Sequence, residues 1–237
     1  MFLSCGMNKP PSPISPRKPR VALWLALAFS LALIGWWELA APRATAPVPA
    51  QAAAFALPQG SEAAVFAGGC FWCTEADFDK LPGVLSTTSG YTGGKTANPT
   101  YAEVASHATG HAEAVRVVFD PKQVSYAQLL EHFWRTIDPT TKDRQFCDIG
   151  TPYRTAIFAA TPEQLQAAQA SMATLAQNKP FAEPIQTQIA MLNDFYPAEA
   201  EHQDYHQNNP LRYDYYRKSC GRDARLKQLW GSPASAQ

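Results

Sequence analysis

Residues Gly68–Glu75 read GGCFWCTE, and this stretch marks the point where a strand is expected to give way to a helix. The apolar segment Glu62–Ala67 (EAAVFA), which precedes it, has the composition of a strand. The segment Phe71–Leu81, which follows the glycine pair, has apolar residues at helical spacing. Cys70 is therefore predicted to lie at the mouth of a helix, with Cys73 in the first turn.

The rest of the folded part alternates between the two types of element. Further strands are predicted at Val84–Tyr91, Glu113–Phe119, Arg154–Ala160 and Ile185–Met191. Further helices are predicted at Ser125–Ile137, Thr161–Asn178, Ala198–Gln207 and Leu211–Trp230. Two of these helices begin with the capping-box pattern, formed by Ser125 with Gln128 and by Thr161 with Gln164. Because strands and helices interleave without repeats, we expect an α+β domain: a two-layer, ferredoxin-like mixed sheet with packed helices.

The bulk composition indicates one globular domain with a short segment attached. The chain has 237 residues, 46% of them hydrophobic, and its twenty acidic and twenty basic residues give a net charge of zero. That balance argues against a protein that binds nucleic acid through its phosphates. We assign residues 60–232 to the folded domain and residues 1–55 to an N-terminal segment and linker.

The N-terminal segment has the features of an export signal. Four basic residues precede the apolar run Val21–Trp37, and an Ala/Pro-rich stretch follows it. The run is longer than most signal-peptide cores and near the lower limit for a bilayer span, so a cleaved signal and an uncleaved membrane anchor both remain open. In either case the rest of the chain is expected outside the cytoplasm. In a bacterial host that means the periplasm, or the periplasmic face of the inner membrane.

Cys70 is the first candidate for chemistry. A thiol at a helix N-terminus meets the positive end of the helix dipole and free backbone N–H groups, and both stabilise a thiolate. The alternative is a small buried hydrophobic residue, which is the usual fate of a single cysteine. Phe71 and Trp72 are adjacent and cannot both point equally deep into the core. One of them is therefore expected to line an apolar pocket beside the sulfur.

Glu113 is the second candidate, because its strand places it on an apolar face. Strand periodicity puts Glu113 on the same side as Val115 and Val117. A carboxyl group on such a face has a raised pKa and holds a proton near neutral pH, as a general acid must. The alternative is a solvated position at the mouth of the strand, without a chemical role.

Two other types of site are compatible with parts of the sequence. His202 and His206 are four residues apart on a predicted helix, which is a spacing found between metal ligands. Together with Cys70 and Cys73 they would complete a zinc site, although the bulky Phe-Trp pair between the cysteines disfavours it. The same two cysteines also match the redox couple of a thiol–disulfide oxidoreductase, which is the alternative enzyme.

Six longer segments follow one another along the chain. They are GGCFWCTEADFDKLPGV, SGYTGGKTANPTY, GHAEAVRVVFDP, LLEHFWRTIDPT, DRQFCDIGTPYRTAIF and AEHQDYHQNNP. This series resembles the A-type peptide methionine sulfoxide reductases, and the resemblance covers Val65–Trp230. It implies reduction of methionine-S-sulfoxide to methionine, in proteins and as the free amino acid, for repair after oxidation.

The resemblance also implies a role for each matching residue. Cys70 resembles the nucleophile that becomes a sulfenic acid, and Glu113 resembles the acid that protonates the sulfoxide oxygen. The other implied catalytic residues are Tyr101 and Tyr153, which would hydrogen-bond that oxygen, and Asp148, which would support the site. The implied substrate-binding residues are Phe71, Trp72 and Tyr205. The resemblance implies no metal and no bound cofactor, since a thioredoxin-like dithiol protein would supply the electrons.

The second chemical step is where this sequence departs from the best-known members. Many of them have glycine at the position of Cys73 and a glycine-rich tail that carries the resolving cysteine, whereas Asn208–Trp230 is predicted to be helical here. Cys220 is the first candidate for the resolving thiol, because Gly221 could interrupt the helix at that point. Cys73 and Cys147 remain alternatives. We expect the enzyme to be a monomer.

Overall fold

The computed structural model describes residues 56–231. The strands within this range are β1 (Glu62–Gly68), β2 (Val84–Thr92), β3 (Ala112–Phe119), β4 (Arg144–Gln145), β5 (Asp148–Ile149), β6 (Thr155–Ala159), β7 (Gln188–Met191) and β8 (Phe195–Pro197). The helices are α1 (Phe71–Phe78), α2 (Tyr101–Ala105), α3 (Tyr126–Thr136), α4 (Pro162–Asn178), α5 (Tyr205–Asn208), α6 (Pro210–Ser219) and α7 (Arg222–Trp230). Single 3₁₀ turns occur at Thr151–Tyr153 and Ala200–His202.

Six of these strands form one mixed sheet in the order β7–β6–β1–β3–β2–β8. Its strands pair antiparallel except for β6 and β7, which are parallel. The order β6–β1–β3–β2, with α1 between β1 and β2 and α3 between β3 and β6, is the ferredoxin-like arrangement. The predicted α+β class is confirmed. The remaining strands, β4 and β5, form a separate short hairpin.

The main core lies between the central sheet and the helices packed on it. The ring of Phe66 in β1 stacks on Phe78 of α1 and on Phe133 of α3, at centroid distances of 4.9 and 5.0 Å. All three side chains are completely buried, and burial of each contributes roughly 1.5–3 kcal/mol to folding. These contacts fix α1 on the sheet, and with it the position of Cys70.

Both predicted capping boxes lie at helix starts, but the two are not equivalent. Ser125 accepts the backbone N–H of Gln128, whose side chain accepts the Ser125 N–H at 2.8 Å, so the first box is complete. At α4, Thr161 accepts the N–H of Gln164. The Gln164 side chain, however, accepts from the residue before Thr161 and donates to the Ala63 carbonyl of β1. It therefore ties the start of α4 to the sheet instead of closing the box.

The C-terminal part of the chain is less regular than predicted. A continuous helix over Ala198–Gln207 is wrong, because Asp204 has φ +50 and separates the turn Ala200–His202 from α5. The predicted helix Leu211–Trp230 is interrupted at Gly221, which has φ +71, as its glycine suggested. Helix α2 and the β4–β5 hairpin were not predicted, because each is too short to show a periodic pattern.

The predicted signal or membrane anchor lies outside the described residues. Within residues 56–231, no helix combines the length and the apolar character that a bilayer span needs. The export of the chain therefore stays a prediction from the sequence.

Candidate active site

Cys70 lies between the end of β1 and the start of α1, as the sequence predicts. It directly precedes the first helical residue, and its side chain is 6% exposed. Gly69 has φ +89, and a Cβ atom at this position would collide with Gln145 of the β4–β5 hairpin. Glycine is required here because the left-handed backbone and the close approach of Gln145 both exclude a side chain. The hairpin connection that carries Cys147 thus packs against the residue next to Cys70.

Glu113 reaches the same helix terminus from β3. Its side chain is 2% exposed, and its Oε2 accepts a 3.0 Å hydrogen bond from the backbone N–H of Phe71. Burial raises the pKa of Glu113 to about 8, although the bond from Phe71 opposes part of that rise. Near neutral pH this carboxyl group therefore carries a proton, and it lies at the helix terminus that also carries Cys70.

Two tyrosine hydroxyl groups lie close enough to interact electrostatically with Glu113 and Cys70. Tyr101 is the first residue of α2, and Tyr153 ends the turn that follows β5. Burial, with smaller contributions from the charges of Glu113 and Cys70, raises the pKa of Tyr101 to about 12. Burial likewise raises the pKa of Tyr153, and Glu113 adds to the effect. Both phenols therefore stay protonated and can donate hydrogen bonds to an oxygen atom bound in the site.

Aromatic rings form one wall of the site. Trp72 stacks on Tyr205, with ring centroids 3.7 Å apart, and its indole N–H donates a 3.2 Å hydrogen bond to Nδ1 of His202. His202 also lies against Tyr101, with centroids 4.3 Å apart. Phe71 is almost fully buried, whereas Trp72 is only partly buried. Of the two adjacent aromatics, Trp72 is thus the one that keeps an open surface.

Asp148 is held by a residue that the sequence analysis missed. The hydroxyl of Tyr216, in α6, donates a 2.6 Å hydrogen bond to Oδ2 of Asp148 and also interacts with the Cys70 thiol. Its ring edge meets Trp72 at a centroid distance of 5.8 Å. Burial raises the pKa of Asp148, and the bond from Tyr216 opposes that rise. Tyr216 lies in the segment RYDYYRK, where nothing in the spacing distinguishes it from the neighbouring tyrosines.

The four cysteines of the described residues form two pairs. Cys147 and Cys220, both candidates for the resolving thiol, are joined to each other by a disulfide bond. Cys70 and Cys73 are free thiols, and both are buried. The third candidate, Cys73, is therefore the one that remains available beside Cys70 in this state.

The acidity of the inner pair is the reverse of the expectation from the helix dipole. Burial raises the pKa of the Cys70 thiol, and its hydrogen bond to Cys73 adds to the rise. The same hydrogen bond lowers the pKa of Cys73 to about 7, with smaller contributions from the positive charges of Arg222 and Arg217. At Cys70, the loss of hydration raises the pKa by more than the helix N-terminus lowers it, because the sulfur has almost no contact with water. The pair is thus favoured with its proton on Cys70 and its negative charge on Cys73.

The zinc site considered from the sequence is not assembled. His202 accepts the hydrogen bond from Trp72, and His206 lies 3.5 Å from the carboxylate of Asp79. Among residues 56–231, the group of potential ligands close enough to share an ion consists of Cys147, Asp148 and Cys220. The two sulfurs of that group are already bonded to each other. His202 instead packs in the aromatic wall. Its spacing of four residues from His206 had suggested a metal ligand and gave no sign of this packing role.

Comparison with known proteins identifies the reaction that this group of residues serves. Residues 62–234 match the family model described as peptide methionine sulfoxide reductase. The chain belongs to this family. Sulfoxide reduction therefore takes precedence over the thiol–disulfide oxidoreductase hypothesis, and the enzyme converts methionine sulfoxide into methionine.

The alignments with individual relatives extend over nearly the whole folded part of this chain. Peptide methionine sulfoxide reductase MsrA of Bacillus licheniformis is 51% identical over 175 residues, which are 74% of this chain and 97% of that protein. MsrA 2 of Caulobacter vibrioides is 50% identical over 188 residues, 79% of this chain and 94% of that protein. The structure of methionine sulfoxide reductase A of Corynebacterium diphtheriae has a TM-score of 0.61 and 37% identity, and covers 65% of this chain and 77% of that one.

Tyr216→Phe should lower kcat/KM of the reductase for a methionine sulfoxide substrate. The change removes the hydrogen bond to the half-buried Asp148, and a bond to a charged group is worth about 1.5–3 kcal/mol, or roughly 10-fold to 100-fold in rate. Tyr215→Phe is the matched control, because Tyr215 is adjacent but 76% exposed. Equal kcat/KM for the two variants would show that Tyr216 does not support Asp148 in the reaction.

Proposed function

We propose that the reductase acts on the S epimer of methionine sulfoxide, in proteins and as the free amino acid, with Cys70 as nucleophile and Glu113 as acid. The observation that carries the proposal is the 3.0 Å hydrogen bond from Phe71 to Glu113, which sets a buried, protonated carboxyl group at the helix terminus of Cys70. A sulfoxide oxygen is a poor leaving group until it is protonated. An acid beside a thiolate is therefore the minimum that the reaction requires.

The first step transfers oxygen from the substrate to the enzyme. The substrate methyl group would contact the aromatic wall at Trp72, and the hydroxyls of the two site tyrosines would bind the sulfoxide oxygen. Cys70 gives its proton to its hydrogen-bond partner Cys73 and attacks the sulfoxide sulfur, while Glu113 protonates the oxygen. The protonated oxygen then moves as a hydroxyl group from the substrate sulfur to Sγ of Cys70, while both the S–O bond and the new sulfur–sulfur bond break. Cys70 is left as a sulfenic acid, and methionine leaves.

Cys73 is our candidate for the second step. It is hydrogen-bonded to Cys70, whereas Cys147 and Cys220 are joined in their own disulfide. The Cys73 thiol attacks the sulfenic sulfur, water leaves, and a Cys70–Cys73 disulfide remains. Cys220, the first candidate from the sequence, is bonded to Cys147 instead of lying free beside Cys70.

The catalytic proposal implies an external electron donor, and the N-terminal sequence indicates where the enzyme acts. A disulfide needs two electrons and two protons to return to thiols, and a thioredoxin-like dithiol protein supplies both without a bound cofactor. The basic residues before Val21–Trp37 support export, so the enzyme would act in the periplasm or be anchored in the inner membrane and face the periplasm. We also propose that it acts as a monomer.

Turnover of the separate epimers of dabsylated methionine sulfoxide tests the catalytic proposal. With dithiothreitol as reductant, the purified enzyme should reduce the S epimer and leave the R epimer unchanged. Reduction of the R epimer, or of neither, would overturn the assignment.

The export proposal is tested by the N-terminal sequence of the protein recovered from membrane and periplasmic fractions. The sequence should begin near the Ala/Pro-rich stretch if a signal is removed, and at the first residues if the segment is an anchor. Recovery in the cytoplasm alone would contradict both.

A further inference from the structure

His202 lies between the two sides of the site that the proposed function assigns to the substrate. Its Nδ1 atom accepts the 3.2 Å hydrogen bond from the indole N–H of Trp72, the residue proposed to contact the substrate methyl group. The centroid of its ring is 4.3 Å from that of Tyr101, one of the two residues proposed to bind the oxygen. The His202 side chain is 8% exposed, so both contacts are shielded from water. One buried side chain thus touches both sides of the site.

The hydrogen bond from Trp72 fixes the protonation state of His202. A nitrogen that accepts a hydrogen bond carries no proton, so the neutral ring has its proton on Nε2. Burial lowers the pKa of His202 below its ordinary value, and the carboxylates of Glu199 and Glu201 oppose part of that change. Tyr101, which faces the ring from α2, keeps its own proton, and the α1 residues that face the ring are aromatic and do not titrate. His202 is therefore neutral near pH 7 and can accept from Trp72.

The turn that carries His202 is anchored to the central sheet on both sides. Before the turn, Glu199 accepts the hydroxyl of Tyr91 in β2 at 2.7 Å. After it, the side chain of Gln203 accepts a backbone N–H of β2 and donates to a backbone carbonyl oxygen of the same strand, both at 2.9 Å. Tyr91 is paired with Glu113 in the register of β2 and β3. The position of His202 is therefore set relative to the strand that carries the proposed acid.

The same turn also holds the backbone at Tyr101. Oε1 of Glu199 accepts the N–H of Tyr101 at 2.7 Å, so this tyrosine is held at its backbone by Glu199 and at its ring by His202. Trp72 is held on one face by the ring of Tyr205 and at its N–H by His202. The oxygen-binding and methyl-binding sides therefore meet at one short turn, and His202 is the residue of that turn that contacts both.

We propose that His202 is a positioning residue for substrate binding: its Nδ1 holds the indole of Trp72, and its ring supports Tyr101. A sulfoxide is pyramidal at sulfur, so its methyl group and its oxygen are a fixed distance apart. The site can bind both groups only if Trp72 and Tyr101 keep the matching separation. The proposal rests on the proposed function, because that function assigns the methyl group to Trp72 and the oxygen to the site tyrosines.

A double-mutant cycle between His202 and Trp72 tests the proposal. His202→Phe keeps an aromatic ring against Tyr101 but cannot accept the indole N–H, and Trp72→Phe removes that N–H. The readout is the release of methionine by the reduced enzyme in a single turnover, over a range of concentrations of dabsylated methionine-S-sulfoxide. The half-saturating concentration reports substrate binding, and the limiting rate reports the chemical step.

The expected effect is on binding and depends on the indole N–H. In the chain with Trp72, His202→Phe should raise the half-saturating concentration about fivefold to tenfold and change the limiting rate by less than about twofold. In Trp72→Phe, the further change His202→Phe should alter the half-saturating concentration by less than about twofold, because no indole N–H remains. An unchanged half-saturating concentration for His202→Phe, or an equal rise in both backgrounds, would overturn the proposal.

His206→Phe is the matched control for this cycle. His206 lies four residues after His202 and is 3.5 Å from the carboxylate of Asp79, and its ring faces Tyr213 instead of Trp72. The same chemical change at His206 should leave the half-saturating concentration within about twofold of the wild-type value. A rise equal to that of His202→Phe would show a general effect of the segment and would count against a specific role of His202.

The indole N–H resonance of Trp72 provides a test that does not need turnover. This resonance, identified by its loss in Trp72→Phe, should exchange with water more slowly in the wild type than in His202→Phe. His202→Asn should restore slow exchange, because the amide oxygen of Asn can replace Nδ1 as acceptor. Below pH 6.5, the ordinary pKa of histidine, protonation of His202 removes the acceptor, so the wild-type resonance should show a transition that is absent from His202→Asn.

The two measurements separate this proposal from the proposed function. Equal exchange of the indole N–H in the wild type and in His202→Phe, or a transition below pH 6.5 that persists in His202→Asn, would overturn the role of His202. A wild type that releases no methionine, with the resonance behaving as expected, would contradict the proposed function and support the contact between His202 and Trp72.

Discussion

Replacing Cys70 by Ser should abolish the reduction of methionine sulfoxide. A serine hydroxyl is not ionised near neutral pH and cannot form the sulfenic acid, so we expect kcat/KM to fall by at least about 10³-fold. The fold should persist, because the Cys70 side chain makes no capping hydrogen bond at α1 and Ser is close to it in size. The measurement is turnover of the S epimer with dithiothreitol, together with the thermal unfolding midpoint of the variant.

Cys73→Ser is the matched control, since it alters the other thiol of the same buried pair. It should still release one methionine per chain, more slowly because serine does not take the Cys70 proton as readily as the Cys73 thiolate, and then stop with a sulfenic acid on Cys70, which dimedone traps. Retention of more than about 1% of wild-type kcat/KM by Cys70→Ser would contradict its role as the nucleophile.

Glu113→Gln should remove the proton that the sulfoxide oxygen needs. Loss of a general acid typically costs on the order of 10²–10⁴ in rate, and we expect that loss in kcat more than in KM. The carbonyl oxygen of Gln can still accept the N–H of Phe71, so the contact between β3 and α1 is preserved. Glu103→Gln, at an exposed capping box, should keep wild-type activity. Wild-type kcat for Glu113→Gln would refute the assignment of the acid.

The pH profile gives an independent signature of the same group. Burial raises the pKa of Glu113 from 4.5 to about 8, so the acid form, and activity with it, should be lost as pH rises through about 8. This limb should be absent from Glu113→Gln. It should persist in Glu75→Gln, which removes a second buried carboxyl group whose pKa burial raises to about 7.

The raised pKa of Glu113 also makes the free energy of unfolding depend on pH. Between about pH 4.5 and pH 8 the folded state keeps the proton that the unfolded state has released. Because the folded state then binds more protons, the free energy of unfolding falls with rising pH, by at most roughly 1.4 kcal/mol per pH unit from this group. Glu113→Gln should flatten that dependence in denaturant unfolding.

Local sequence patterns were sufficient to predict the features that depend on a single helix or strand. Helix α1 and strand β3 were predicted within a few residues, because their apolar periodicity is long enough to read. The burial of Glu113 followed from its place on that strand. The segment around Ala198–Gln207 was misread as one helix, since the left-handed backbone of Asp204 is set by its surroundings and not by a helical pattern. The roles of the site residues remain predictions until the variants are measured.

The sequence by itself determined the fold class, the place of Cys70 at a helix mouth and the family, because these depend on periodicity and on long ordered motifs. Only the tertiary structure decided which cysteines pair, that Tyr216 supports Asp148, and that Cys73 is more acidic than Cys70. Cys147 and Cys220 are separated by 73 residues, and their pairing depends on how a short hairpin packs against a helix break. The acidity of the two thiols depends on burial, on the hydrogen bond between them and, for Cys73, on Arg222 and Arg217 from two later helices. Desolvation and contacts between distant segments arise only when the chain has folded, so no local pattern encodes them.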